Sequence, residues 1–142
     1  MSEPARPWSQ NELDLVDRAR ELQLAIPRPD GSIRPFVTVW MVRVGTDLYV
    51  RSGSGYGSVS KWFPRARDAR TGIVRVEDHE WSATFSPVDP NAAVHAEIDG
   101  AYLRKYGGSF GMTDAATHEH TLRITPTAPG AAQPPIATLS ST

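Results

Sequence analysis

Cysteine is absent from the 142 residues. That excludes a disulfide scaffold, thiolate metal sites and a cysteine nucleophile, and it fits a reducing compartment. No apolar run approaches the roughly 20 residues that a membrane-spanning helix needs. The opening MSEPARPWSQ lacks the apolar core of a signal peptide. A soluble, cytoplasmic protein with no membrane partner is therefore the default expectation. An excess of one charge is missing too: 15 Lys and Arg stand against 16 Asp and Glu, a net charge of -1. Whole-chain electrostatics thus give no case for a nucleic-acid partner. Walker and dinucleotide glycine fingerprints are lacking, as are a G-x-S-x-G elbow and any internal repeat. The length suits one domain with its own core.

What is present centres on Arg34 to Phe63, RPFVTVWMVRVGTDLYVRSGSGYGSVSKWF. Phe36 to Val44 is rich in Val, Thr, Trp and Phe, residues that favour a pleated backbone. Gly45-Thr46-Asp47 is turn chemistry, and Leu48 to Ser52 runs back, so the pair reads as a hairpin. Both parities of the first strand are apolar. Such a strand is buried on both faces, and its second face must meet a helix or a partner copy. A Gly/Ser-rich loop follows from Gly53, with Ser60 placed to cap a helix over Lys61 to Arg70. Free amides, a helix start, Arg51 and Lys61 would suit an anion, most naturally phosphate. The same stretch also reads as a flexible loop with solvent-exposed basic residues.

Around that centre, residues 1–8 read as a loose arm, 9–126 as the folded domain and 127–142 as a disordered tail of Pro, Ala, Thr and Ser. Ser9-Gln10-Asn11-Glu12 is a capping box, and Trp8 and Leu13 sit at staple positions. Leu22, Leu24 and Ile26 alternate as a first strand, and Pro29-Asp30-Gly31-Ser32 is a strong turn. After the central loop and its helix, Gly72 reads as the helix terminator. Ile73 to Glu77 and Glu80 to Pro87 form a second hairpin about Asp78-His79. Asp89-Pro90 predicts a sharp helix start, with Val94, Ile98, Ala101 and Tyr102 as its apolar stripe and Gly107-Gly108 as its end. His120 to Thr125 is a last strand. About six short strands with few helices predict a mainly β fold, a small closed or split barrel with flanking helices.

Catalytic chemistry is sparse. His118 and His120 share a strand parity, but no third ligand has a fitting context, so no metal site is expected. His79 and His95 show no partner in the sequence. Tyr56 and Trp62 flank the glycine-rich segment, and aromatic faces beside a phosphate cradle suit a planar cofactor with a phosphate tail.

Pro29-Asp30-Gly31, Thr38-Val39-Trp40, Gly45-Thr46-Asp47-Leu48-Tyr49-Val50-Arg51-Ser52 and Lys61-Trp62 together resemble the flavin-binding split-barrel superfamily of pyridoxamine-phosphate-oxidase-like proteins and deazaflavin-dependent nitroreductases. Trp8-Ser9, Asp99-Gly100-Ala101-Tyr102, Lys105-Tyr106-Gly107 and Thr121-Leu122-Arg123 extend the likeness to a family of small bacterial proteins within it. The resemblance implies an FMN-binding type of split barrel with FMN or F420 as cofactor. It implies that Arg51, Ser52 and Lys61 hold the cofactor phosphate, and that Thr38 and Trp40 lie near the ring, with Trp62 also at the site. It further implies a homodimer with the cofactor between subunits. Where related deazaflavin enzymes often carry an asparagine shortly after the tryptophan, this chain has Pro64-Arg65-Ala66. Two functions follow: an oxidoreductase acting on a small molecule through the cofactor, or a non-catalytic barrel that serves as a carrier or interaction module.

Overall fold

The computed structural model describes residues 7–52, 62–107 and 115–127. In chain order its elements are α1 (Gln10–Arg18), β1 (Leu22–Ala25), β2 (Val37–Val39), β3 (Met41–Val44), β4 (Asp47–Arg51), α2 (Trp62–Ala69), β5 (Thr71–Val76), β6 (His79–Pro87), α3 (Val94–Tyr106), a 3-10 helix (Ala115–His120) and β7 (Thr121–Pro126). The strands form one antiparallel sheet in the order β2-β1-β5-β6-β7-β4-β3. Its two outermost strands, β2 and β3, are consecutive in the chain and separated only by Trp40. The sheet therefore curls until its ends meet, giving a nearly closed split barrel with three flanking helices. That is the fold class expected from the sequence.

The seam at Trp40 corrects one expectation. The run Phe36 to Val44 is not a single strand: Val37–Val39 pairs with β1, and Met41–Val44 pairs with β4. Its hairpin half holds, with Val44 opposite Asp47 and Gly45 at φ 62 in the turn, a conformation glycine adopts without penalty. A strand that breaks leaves backbone groups without ladder partners, and buried ones must be satisfied elsewhere. Side chains of α3 do this. Tyr102 Oη donates to Trp40 O at 3.0 Å, and Met41 N donates to Tyr106 Oη at 3.1 Å. Lys105 Nζ donates to Met41 O at 3.2 Å and to Val16 O at 2.8 Å, the latter on α1.

Those contacts also settle what covers the second apolar face of the hairpin. Leu48, Val50 and Met41 lie in the main core with Leu22, Leu24, Val74, Phe85, Leu122 and Ile124. Val42 and Tyr49 pack instead in a second cluster against Ile98, Tyr102 and Tyr106 of α3. The face meets a helix of the same chain.

Helix α1 begins as the capping box requires. Glu12 N donates to Ser9 Oγ at 3.2 Å, and Ser9 N donates to Glu12 Oε1 at 2.8 Å. Trp8, placed in the expected arm, belongs to the core: it is 5% exposed and its Nε1 donates to Ile124 O at 2.9 Å. Residues 1–6 and 128–142 lie outside the described residues, and with them most of the expected arm and tail; Thr127, the first residue of that tail, donates its N–H to Ser82 O at 3.1 Å.

Three further boundaries differ from expectation. Gly72 does not end α2; Arg70, at φ 67, does so, while Gly72 lies within β5. A Cβ there would stand 2.5 Å from Ala25 O and 2.8 Å from the Phe85 ring, so the barrel wall closes over a glycine. Asp89 does not cap a helix. It folds a turn by accepting from Asn91 N at 2.8 Å, and α3 starts later, at Val94. His118 and His120 lie on the 3-10 helix rather than on a strand, and β7 starts at Thr121.

Candidate functional site

Two polar centres flank the barrel. The first gathers at the end of β4. Arg51 is 1% exposed, its guanidinium held by residues of α3 and β7. Nε donates to Thr121 Oγ1 at 2.9 Å, one Nη to Asp99 Oδ1 at 2.5 Å and the other to His95 Nδ1 at 2.9 Å. Thr121 Oγ1 in turn donates to Thr117 O at 2.8 Å. A buried cation is tolerated because it is paired and hydrogen-bonded on several sides.

The partners fix the state of His95. Its Nε2 lies 2.8 Å from Asp89 O, which can only accept, so Nε2 carries the proton. Nδ1 is then left to accept from Arg51, and the ring is neutral. Burial holds its pKa below the usual histidine range, and the neighbouring His118 and Arg51 act in the same direction against the Asp89 hydrogen bond. His118 stacks on it with ring centroids 4.3 Å apart and presents Nε2 at 3.4 Å from the other Asp99 oxygen. The partners of His95 were invisible in the sequence.

The second centre is a cleft between the β1–β2 connection and α2. Pro27, Arg28, Pro29, Arg34, Arg65, Asp68 and Ala69 surround a cavity of about 450 Å³. Sharing Arg28, Arg34 and Arg65 with it is a slot of about 200 Å³ whose remaining walls are Leu24, Ile26, Pro35, Val37 and Trp62. The turn that joins β1 to β2 builds one side. Asp30 accepts from Ser32 N at 2.9 Å and from Ser32 Oγ at 2.7 Å, and Pro27 bridges to Ile33. That closes the turn and brings Arg28 and Arg34 to one rim. Arg34 Nε is buried with no hydrogen-bond partner among the described residues. Burial lowers the Arg34 pKa from its ordinary value, and the neighbouring Arg65 and Arg28 push the same way, opposed by Asp30.

The expected site residues fall in separate places. Trp62 lines the slot. Thr38 is exposed on β2, where Gln23 Nε2 lies 3.5 Å from its hydroxyl, while its neighbour Val37 lines the slot. Trp40 stacks on Tyr106 with ring centroids 4.2 Å apart and planes 3° apart. Arg51 and Ser52 are both buried, with Ser52 N donating to His120 O at 3.0 Å. His120 packs edge-on against Phe63, next to Trp62, so this strand end adjoins the start of α2. Lys61 and the loop from Gly53 lie outside the described residues. Among the described residues no group of three or more His, Asp or Glu is arranged to hold a metal ion, and no helix is long and apolar enough to cross a membrane.

Several solved structures share this fold at low identity. ChuZ from Campylobacter jejuni superposes with a TM-score of 0.60 at 12% identity, over 87% of this chain and 55% of that one. This chain thus spans little more than half the length of ChuZ. HutZ from Vibrio cholerae, named a heme storage protein, gives 0.58 at 12% identity over 88% and 93% of the two chains. An F420-H2 dependent reductase, FDR-A, gives 0.57 at 12% identity over 75% and 93%. No curated protein matches the sequence significantly. The family described as "Uncharacterized protein conserved in bacteria (DUF2255)" matches residues 12–124, from α1 to β7. The chain therefore belongs to that bacterial family, which it represents as a split barrel with a buried arginine cluster at the end of β4 and an arginine-rimmed cleft between the β1–β2 connection and α2.

Proposed function

We propose that this protein binds a flavin-type cofactor, FMN or the deazaflavin F420, and works through it as an oxidoreductase. The observation that carries the reading is the slot at the β1–β2 edge. Its apolar walls, with Trp62 among them, are arranged as planar-ligand sites generally are, mostly hydrophobic with a few placed polar groups. The residues fit the group: the slot suits a ring system, and the arginine rim suits an acidic tail. When bound, such a cofactor supplies hydride or electron transfer, and the protein supplies binding, orientation and electrostatics. The likeness to an F420-H2 dependent reductase supports the choice of cofactor class.

In this reading Trp62, Leu24, Ile26 and Val37 hold the ring and exclude water from one side of it. Lys61, next in sequence to Trp62, is the further cation of this reading. Arg51 and Ser52 brace the strand end from which the loop 53–61 departs. Thr38, on the outer face of the edge strand, would meet the cofactor of a second copy in a homodimer.

The test is a titration of purified protein with FMN and with F420, following tryptophan emission and the visible spectrum. Saturable quenching by one cofactor, reduced in Trp62→Phe, is the expected result. Failure of both cofactors to perturb either signal would overturn the reading. Reduction of the bound cofactor by a nicotinamide donor, followed by reoxidation with an acceptor, separates an enzyme from a carrier.

A further inference from the structure

The resemblance assigns a phosphate to Arg51, yet the Arg51 guanidinium already has a carboxylate, an imidazole and a hydroxyl as partners. Another group of cations lies elsewhere, in which Arg28 Nη1 reaches only Ser32 Oγ and Ile33 O among the described residues, each at 3.4 Å. Arg28, Arg34 and Arg65 border both the cavity and the apolar slot. Asp68 is the carboxylate among the lining residues, and its Oδ1 lies 3.1 Å from Arg67 Nε. Asp30, on the turn, is engaged by Ser32. Three guanidinium groups at one cavity repel each other, which is unfavourable unless something of opposite charge joins them. Arg34 Nε, buried and without an acceptor among the described residues, adds a second cost, because such a donor forfeits its hydration.

We infer that Arg28, Arg34 and Arg65 form an anion subsite that receives the acid group, phosphate or carboxylate, of a ligand whose ring occupies the slot beside Trp62. The inference rests on the cofactor reading only for the identity of that ligand. The shared chemistry is a planar ring carrying an acid group; a cofactor and an aromatic substrate acid are its two sources. Guanidinium forks suit both acids through paired N–H donors.

The experiment compares ligands that share a ring system and differ in whether they carry the acidic tail. FMN and riboflavin share one ring system, and F420 and its phosphate-free ring alcohol form a second pair. Binding is read by quenching of tryptophan emission and by calorimetry. Wild type is expected to prefer the phosphorylated member by tenfold or more, since each charge-assisted contact is worth about a decade. Arg65→Ala and Arg34→Gln should each reduce that preference by about tenfold, and added salt should erode it. Arg18→Ala, on α1, should leave it unchanged. Arg65 is exposed, so its replacement leaves the fold intact, which thermal melting checks. Equal affinity for both members of a pair in wild type would overturn the anion subsite and leave the cofactor reading standing. So would a preference that survives both arginine variants and disappears in Lys61→Ala. If neither pair binds, the cofactor reading falls and phenyl phosphate becomes the probe. Phenyl phosphate binding that Arg65→Ala weakens would then uphold the subsite for a substrate acid, and its failure to bind would overturn the subsite as well.

Discussion

Arg51 combines the outward marks of a binding residue with a set of internal partners. It closes a strand, it precedes a glycine-rich loop, and it is basic; all of that was legible. Its partners come from positions 95, 99 and 121, and no local periodicity reports on contacts so far apart in sequence. Removing it strands the Asp99 carboxylate and the His95 acceptor. Arg51→Ala is therefore expected to lower unfolding free energy by roughly 3–5 kcal/mol, read by urea denaturation. A loss under about 1 kcal/mol would place the pair among weak surface contacts instead. His95 carries a pH dependence with a definite sign. Its folded pKa lies below the unfolded value of about 6.5, so its contribution is complete above that pH. Stability is lost as pH falls through the window from about 6.5 down to the folded pKa, because the unfolded chain takes up the proton first. The groups that face it are Arg51, Asp99 and His118. Denaturant midpoints measured from pH 7.5 to 5 should fall more steeply in wild type than in His95→Gln. Glutamine keeps a donor for Asp89 O and an acceptor for Arg51 but does not titrate. Parallel slopes would remove His95 from the account.

Local signals located most elements and misplaced some of their edges. The capping box set the start of α1, because both of its hydrogen bonds are written within four consecutive residues. The break at Trp40 has no such mark: Val39-Trp40-Met41 holds neither glycine nor proline, and the interruption is stabilised by α3, more than 60 residues away. Gly72 carries a signal that points two ways, since a glycine after a helix reads as a terminator and a glycine in a strand reads as a close approach. Asp89-Pro90 likewise specifies a turn as readily as a helix start. The cleft was legible in part. Pro29-Asp30-Gly31-Ser32 was recognised as a turn, which keeps Arg28 and Arg34 near each other, while their shared rim and the addition of Arg65 from α2 needed the tertiary fold. The patched seam can be tested directly. Tyr106 Oη accepts from Met41 N and also lies 2.9 Å from the carbonyls of Met41 and Arg20, to one of which it donates. Tyr106→Phe removes the acceptor and leaves the Met41 N–H buried, at a cost of about 1–3 kcal/mol. Hydrogen exchange at the Met41 amide should accelerate accordingly. An unchanged exchange rate would mean that another acceptor serves that amide.

The barrel as a whole follows from a sheet whose first and last strands are covalent neighbours. Closure places the hairpin at β3–β4 between the barrel core and α3, so both faces of β3 are used within one chain, while Thr38 on β2 stays exposed. The apolar second face, a reason to expect a homodimer from the sequence, is thereby covered by α3. The proposed dimer then rests on the site at the β2 edge, and light scattering at micromolar concentration checks it: twice the chain mass is expected, and the chain mass alone would contradict it. The molecule carries two unlike polar centres, one around Arg51 with a carboxylate, an imidazole and a hydroxyl as partners, and an arginine-rich one at the cleft. The most direct measurement of the central claim is the visible and tryptophan-emission titration of the purified full chain with FMN and F420. The account predicts saturable binding of one of them, with Trp62 emission quenched and the affinity falling by about tenfold in Arg65→Ala. Binding that leaves Trp62 emission untouched and is indifferent to Arg65→Ala would contradict it.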